Sequence, residues 1–326
     1  MRKNALRFTF FILQRWSPFE FQKSYIHLSF NPKVTRLHKL YKLHKLYELY
    51  KLHELNNSNL CCQNVACIIL SPMNRPTLAS RLKLRERPAG RSPVMFQTWQ
   101  DLLFLHWEYD VDEIQQTLPP GLYVDTFEER AYLGIVPFFM KNVRPRFCPN
   151  VPGISNFMET NLRTYVYDER GIAGVWFYSL DANQWLAVKL ARTFFKLPYF
   201  YAAMHEQRDQ SGQVITYDVG RRGVDQGLHS RFCYQSAGSI RHAQPGTLEF
   251  FLVERYILFA YSAQTRSLST GQVYHTPYPI IEAEVSEWDS YLLEIDGFSQ
   301  PLRAPDHILM SPGVTVDIFA LAQASS

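Results

Sequence analysis

The chain is short of cysteine. Five occur in 326 residues: Cys61, Cys62, Cys67, Cys148 and Cys233. Three crowd one segment and two lie far apart, so there is no disulfide framework and no paired CxxC for zinc. A reducing cytosol suits that usage. Cys61, Cys62 and Cys67, with His53 upstream, read as accidental neighbours rather than a metal set. Long apolar runs are also missing. NVACIIL (64–70) falls far short of the roughly 20 residues a spanning helix needs. ALRFTFFIL (5–13) is broken by Arg7 and followed at once by Gln14, Arg15 and Trp16, so it makes no clean secretory signal. GLYVDTF and RGVDQG lack the glycine spacing and following helix of a phosphate loop. No transmembrane helix, metal or cofactor is expected.

An excess of positive charge is missing from most of the chain. The net charge is +4, but residues 1–72 hold 11 Lys+Arg against 3 Glu and no Asp. The remainder holds 23 basic against 27 acidic side chains. That mildly acidic body excludes broad phosphate-backbone binding, so no nucleic-acid partner is expected.

The basic segment contains a three-residue word, LHKLYKLHKLYELYKLHEL (37–55). At about 100° per residue, each copy drifts by about 60° round a helix, so leucines reach every face. No coiled-coil seam or membrane-binding face survives. His and Tyr codons differ by one base, as do Lys and Glu codons. A translated nine-base DNA repeat has this form. Residues 1–72 are therefore expected to be disordered or spurious upstream sequence, with Met73 the start. The rival is a basic arm for a membrane or acidic partner; native-protein mass spectrometry separates the two, and abundant peptides from 1–72 would sink the first.

Aromatics are plentiful, with 19 Tyr, 23 Phe and 6 Trp, which suits strands and a β-rich core. Residues 73–95 read as an extended, charged lead. LLFLHWEY is the first strand. Asp112 and Gln115 form a capping pair for a helix DEIQQTL, ended by PPG (119–121). LYVDTF and AYLGIVPFFM flank Glu128-Glu129-Arg130 as a hairpin. In NFMETNLRTYVYDERG (156–171), alternation puts Glu159, Asn161, Arg163 and Tyr165 on one strand face. GVWFYSLD (174–181) returns as its partner. Asp181 or Asn183 caps a helix over 182–195, which stops before Pro198. VITYDV, HSRFCYQ, RYILFAYS, GQVYH, SYLLEI and VTVDIFAL read as strands, and TLEFFLVE (247–254) fits helix or strand. Many strands and few helices imply a β-rich α+β domain over 96–322, closed as a barrel.

LLFLHWEYD, LPPGLYVDTFEERAYLGIVPF, the ExNxRTYV pattern at 159–166, GVWFYSLDA and FLVERY (251–256) together resemble the YqjF-like family of conserved uncharacterised proteins (domain of unknown function 2071). The resemblance covers about residues 75–322. That family is similar in turn to the acetoacetate decarboxylase superfamily, which implies a β-barrel with an internal pocket and a Schiff-base lysine. The superfamily pattern places Pro-Lys-Lys a few residues after an Arg. Here Arg192 is followed by Pro198, Tyr199 and Phe200. Both lysines are missing, which excludes Schiff-base chemistry by the usual residue. Lys189 and Lys196 lie nearby but are displaced.

Six residues remain as ligand-binding candidates: Glu159, Asn161, Arg163, Tyr165, Arg192 and Tyr199. Four polar side chains on one strand face point either to water or into a lined cavity. Inside a barrel, Arg163 can hold a carboxylate and Glu159 can orient it or act as a base, or the row is an internal salt-bridge network; outside, the same row is an edge-strand face. Arg192 is a second anion candidate through the resemblance, and Tyr199 a hydrogen-bond donor in place of the lysine. His106 and His275 read as structural, and Glu254 with Arg255 as a capping or ion pair. Three functions stay open: a barrel binding a small organic acid without Schiff-base catalysis, an acid–base enzyme on an altered scaffold, and a filled barrel that binds partners or is structural. Oligomeric state is not legible.

Overall fold

The computed structural model describes residues 74–224, 228–289 and 291–323. The expectations for residues 1–72 lie outside this range. The lead is not wholly extended: α1 (Leu78–Lys83) follows Thr77, whose hydroxyl accepts from the Ser80 amide and caps it.

Among the described residues, thirteen strands form one sheet. In chain order they are β1 (Met95–Tyr109), β2 (Leu122–Val124), β3 (Ala131–Pro145), β4 (Phe157–Asp168), β5 (Ala173–Ala182), β6 (Tyr199–Arg208), β7 (Ile215–Arg221), β8 (Ser230–His242), β9 (Ile257–Ser262), β10 (Ser267–Tyr274), β11 (Pro279–Glu287), β12 (His307–Ile318) and β13 (Ala322–Gln323). The hydrogen-bonded order is β13-β10-β9-β5-β6-β7-β8-β11-β12-β1-β3-β4-β2, and β4–β5 and β10–β12 also pair. Those two extra pairings close the sheet twice. One ring runs β5-β6-β7-β8-β11-β12-β1-β3-β4; the other runs β12-β1-β3-β4-β5-β9-β10. The rings share the wall β12-β1-β3-β4-β5.

The middle of the shared wall has no solvent face. Every residue of β4 is buried, and the first ten of β3 are too. The period-2 rule then sends alternate side chains into different rings. Leu103, Leu105 and Trp107 of β1 pack with Leu133, Ile135, Leu162, Tyr217 and Phe232 in the nine-strand ring. Leu102 and Phe104 pack with Val136, Phe138, Tyr165, Phe250 and Val316 in the seven-strand ring. This is the β-rich, few-helix barrel architecture expected.

Four further helices lie among the described residues: α2 (Val111–Gln115), α3 (Trp185–Phe194), α4 (Leu248–Val253) and α5 (Tyr291–Ile295). TLEFFLVE resolves as α4, capped by Thr247, with Phe250, Phe251, Leu252 and Val253 all buried. Apart from Glu249 in its first turn the helix is apolar, which places most of it inside the core. SYLLEI, expected as a strand, is α5; Asp289 accepts from the Tyr291 amide at its start, and Leu292 and Leu293 are buried. Asp110, not Asp112, caps α2, because its carboxylate reaches two free amides of the first turn. Gln115 instead bonds the backbone of Leu122 and Val124. Gln184, not Asp181 or Asn183, caps α3. The Glu128-Glu129 turn exists, with φ of +48° and +61° as a primed hairpin turn demands. Its flanks do not form the expected hairpin, since β2 pairs with β4. Strands β6 and β11 and the two-residue β13 fall outside the strands the sequence suggests; the mixed polar patterns of β6 and β11 follow one-sided burial.

Candidate functional site

Glu159, Asn161, Arg163 and Tyr165 face the interior of the seven-strand ring, and none is more than 9% exposed. The alternative of an outer edge-strand face is excluded. A bulge between Leu162 and Arg163 in the β4–β5 register leaves Tyr178 as the extra residue of β5, and its hydroxyl bonds Thr117 Oγ1.

Two of the expected residues meet directly. Tyr199 Oη donates to Glu159 Oε2 at 2.9 Å, both fully enclosed. Burial pushes the Glu159 carboxyl up to about 8, against the lowering effect of that bond and with a further raise from Asp181. Burial likewise holds the Tyr199 phenol well above its ordinary range. At pH 7 the pair is chiefly neutral. Because the folded-state pKa lies above that of the unfolded chain, the folded form holds this proton more tightly. Its stabilising effect is full below about pH 4.3 and is lost as pH rises through about 8. Urea unfolding of the wild type is expected to lose more stability between pH 5 and pH 8 than Glu159→Gln does. Parallel pH profiles would show that Glu159 is not buried as an acid.

Arg163 is the exceptional group. Its Nη2 donates to Tyr165 Oη at 3.3 Å and to the Leu252 carbonyl at 3.2 Å. Its guanidinium carbon lies 5.5 Å from the Phe104 ring centroid and 5.6 Å from that of Tyr165. Nε has no partner, and neither does Asn161 Oδ1, two residues away on the same face. Among the described residues no carboxylate pairs with Arg163. Ring faces offset part of the charge, but a buried cation without a counter-ion is costly.

Arg192 does not join this group. It is exposed on α3, and its Nε donates to the Tyr199 carbonyl at 2.6 Å. Its place is to hold the backbone of β6, so the second-anion reading is not supported by its position. Among the described residues, no lysine is buried in the interior. Lys83, Lys189 and Lys196 are exposed and Lys141 is half-buried, so no described lysine offers a desolvated amine.

Several buried groups were not recognised in the sequence. His106 Nε2 lies 2.7 Å from Tyr165 Oη, and its Nδ1 lies 3.3 Å from Nδ1 of His307. Burial first, then His307 and Arg163, hold His106 well below the ordinary imidazole range. Asp125 bridges two cations: Arg81 bonds it through two 2.7 Å contacts and Arg255 Nη1 through one of 2.8 Å. Burial lowers Arg255 to about 10, with Asp125 opposing. Arg221 in turn bridges Asp181 and Asp296. Glu254 and Arg255 do not pair with each other; Glu254 accepts from Tyr256 Oη and the Tyr278 amide. Only spatial register assembles these groups, so no local motif announces them.

A groove of about 470 Å³ opens on the outside, lined by Trp176, Tyr178, Lys196, Phe259 and Tyr261 among others. A second, of about 440 Å³, is lined by Glu108, Arg130 and Arg303 among others. Neither touches the β4 row. No described helix is long and apolar enough to cross a membrane.

Comparison with known proteins agrees with this architecture. The DUF2071 family model, described as an uncharacterized conserved protein, matches residues 96–315. The uncharacterized protein YqjF of Bacillus subtilis (strain 168) is 36% identical over 212 residues, spanning 65% of this chain and 85% of that protein. The enduracididine biosynthesis enzyme MppR complexed with pyruvate superposes with a TM-score of 0.50 at 15% identity, covering 73% of this chain and 93% of that one. Acetoacetate decarboxylase of Legionella pneumophila reaches 0.49 at 12% identity, covering 73% and 89%. The MppR likeness is one of fold alone. With its family model matched along most of its length, the chain belongs to the DUF2071 family of uncharacterized conserved proteins.

Proposed function

We propose that the seven-strand ring binds a small organic acid, with Arg163 as the carboxylate anchor and no Schiff-base step. One observation carries this reading: Arg163 is a buried cation with no counter-ion among the described residues and an unpartnered Nε. An anion at that atom would supply the missing charge and the missing hydrogen bond together. Asn161, whose Oδ1 also lacks a partner on the same face, would turn its NH2 to a second oxygen. Tyr165 holds the guanidinium in place. The lack of a buried lysine among the described residues supports binding without a covalent amine step. MppR, which shares the fold, is described with pyruvate bound, so pyruvate is the first probe.

Two other readings have an observation each. Glu159, titrating near neutrality beside Tyr199, suits acid–base work on a bound acid. The position of both grooves outside the ring suits a filled barrel. A thermal-shift screen of one- to four-carbon carboxylic acids separates them. At 100 times Kd, a binding acid adds about 2.7 kcal/mol to wild-type stability. Arg163→Met should show no such gain. Equal shifts in both proteins, or none in either, would remove the Arg163 site; turnover of a stabilising acid, lost in Glu159→Gln, would favour the enzyme.

A further inference from the structure

A row of four residues crosses the shared wall. His307 of β12 faces His106 of β1, His106 faces Gly134 of β3, and Gly134 faces Arg163 of β4. Three carry polar side chains and the fourth carries none. That gap is needed. A Cβ on Gly134 would stand 2.8 Å from His106 Cδ2 and 3.0 Å from its Nε2. Through the space left by Gly134, His106 reaches Tyr165 Oη at 2.7 Å.

Donor counting orients the chain. The single Tyr165 hydroxyl hydrogen is directed to the Leu252 carbonyl at 2.8 Å. Tyr165 Oη therefore accepts from Arg163 Nη2 and from His106, which must carry its hydrogen on Nε2. His106 Nδ1 is then an acceptor, and His307 donates to it from Nδ1. This leaves His307 Nε2 as the outermost acceptor. His307 is half-buried, and the charged groups facing it are Arg241 of β8, Glu249 of α4 and Glu282 of β11, with His106 behind it. Arg241 bonds both carboxylates, so the trio carries one net negative charge. A proton on His307 Nε2 meets that charge and disturbs no hydrogen bond inside.

We propose that His307, His106 and Tyr165 form a proton-linked chain from the rim to Arg163, so that the ring takes up an organic anion together with one proton held on His307. The proposal rests on the reading of Arg163 as an anion site. The proton comes from solvent and adds to the Nε2 lone pair; no covalent bond of the ligand changes. The coupling has a physical source. Unliganded, Arg163 places an uncompensated positive charge against His106 and, through it, His307. An anion cancels that charge and makes the imidazolium easier to form. Linkage is reciprocal, so the anion must bind more tightly where His307 is protonated.

The test is a pH titration of the intact protein labelled with ¹⁵N-histidine, with and without pyruvate, beside Arg163→Met and Gly134→Ala. In ligand-free wild type, His106 should hold its hydrogen on Nε2 while His307 titrates. Pyruvate should raise the His307 midpoint by about one pH unit, equivalent to about tenfold tighter binding below the midpoint than above it. Arg163→Met should raise the midpoint with no ligand present, and Gly134→Ala should uncouple His307 from pyruvate. A hydrogen on His106 Nδ1 in the ligand-free protein, or an unmoved midpoint in Arg163→Met, overturns the chain whatever pyruvate does. Failure of pyruvate to bind the wild type overturns the uptake and the anion-site reading together. Binding without a midpoint shift overturns the uptake alone.

Discussion

Asp125→Ala is expected to lose about 3–5 kcal/mol of folding stability, the cost of stripping a buried ion pair of one partner. Asp125 is the only carboxylate on Arg255 among the described residues, and both side chains are 4% exposed. Arg255 also lies over the rings of Tyr165 and Phe251, at 4.9 and 4.3 Å from their centroids. Without Asp125 its charge has nowhere to go, and Arg81 of α1 loses its anchor as well. At about 2–4 °C per kcal/mol for a domain of this size, the melting point should fall by on the order of 10 °C. Urea unfolding at pH 7 measures the loss. Adding Arg255→Met to Asp125→Ala should recover a large part of it, because the stranded cation is removed too. A loss under about 1 kcal/mol would mean that water reaches this pair and that it behaves as a surface bridge.

The second large effect has the opposite sign. Arg163→Met should stabilise the ligand-free protein by about 1–4 kcal/mol, as apolar replacement of buried charge often does. Methionine fills similar volume and adapts to irregular space, and Leu252 O keeps its bond from Tyr165. The same change should abolish stabilisation by carboxylic acids. Gain of stability with loss of ligand response marks a residue kept for binding rather than for folding. If Arg163→Met instead destabilises by several kcal/mol and no acid stabilises the wild type, Arg163 is a structural strut and the filled-barrel reading holds.

The alternation from Glu159 to Tyr165 was legible in the sequence, and so was its pairing with GVWFYSLD. The ring that receives those side chains was not. Alternation assigns faces but not environments, and β4 lies in a wall buried on both sides. His106 looked like an ordinary core histidine because its partners arrive from residues 165 and 307. Asp125 lies in LYVDTF, which reads as one flank of a hairpin, although two arginines 44 positions before it and 130 after converge on it. SYLLEI carries β-compatible residues, but its two buried leucines are adjacent, and a short capped helix buries them as well as a strand would. Arg192 was placed by resemblance to a motif whose lysines are missing, and its side chain serves the β6 backbone instead. Long-range register decided each of these cases, and composition carries no record of it.

The central claim is that an acid belongs on Arg163. A crystal structure with the carboxylic acid that gives the largest thermal response tests it most directly. The account predicts a carboxylate oxygen about 2.7–2.9 Å from Arg163 Nε, with the Asn161 side-chain amide on the other oxygen and Tyr165 still bonded to Arg163. An acid seated only in the outer groove beside Lys196, with Arg163 Nε still unpartnered, would contradict it.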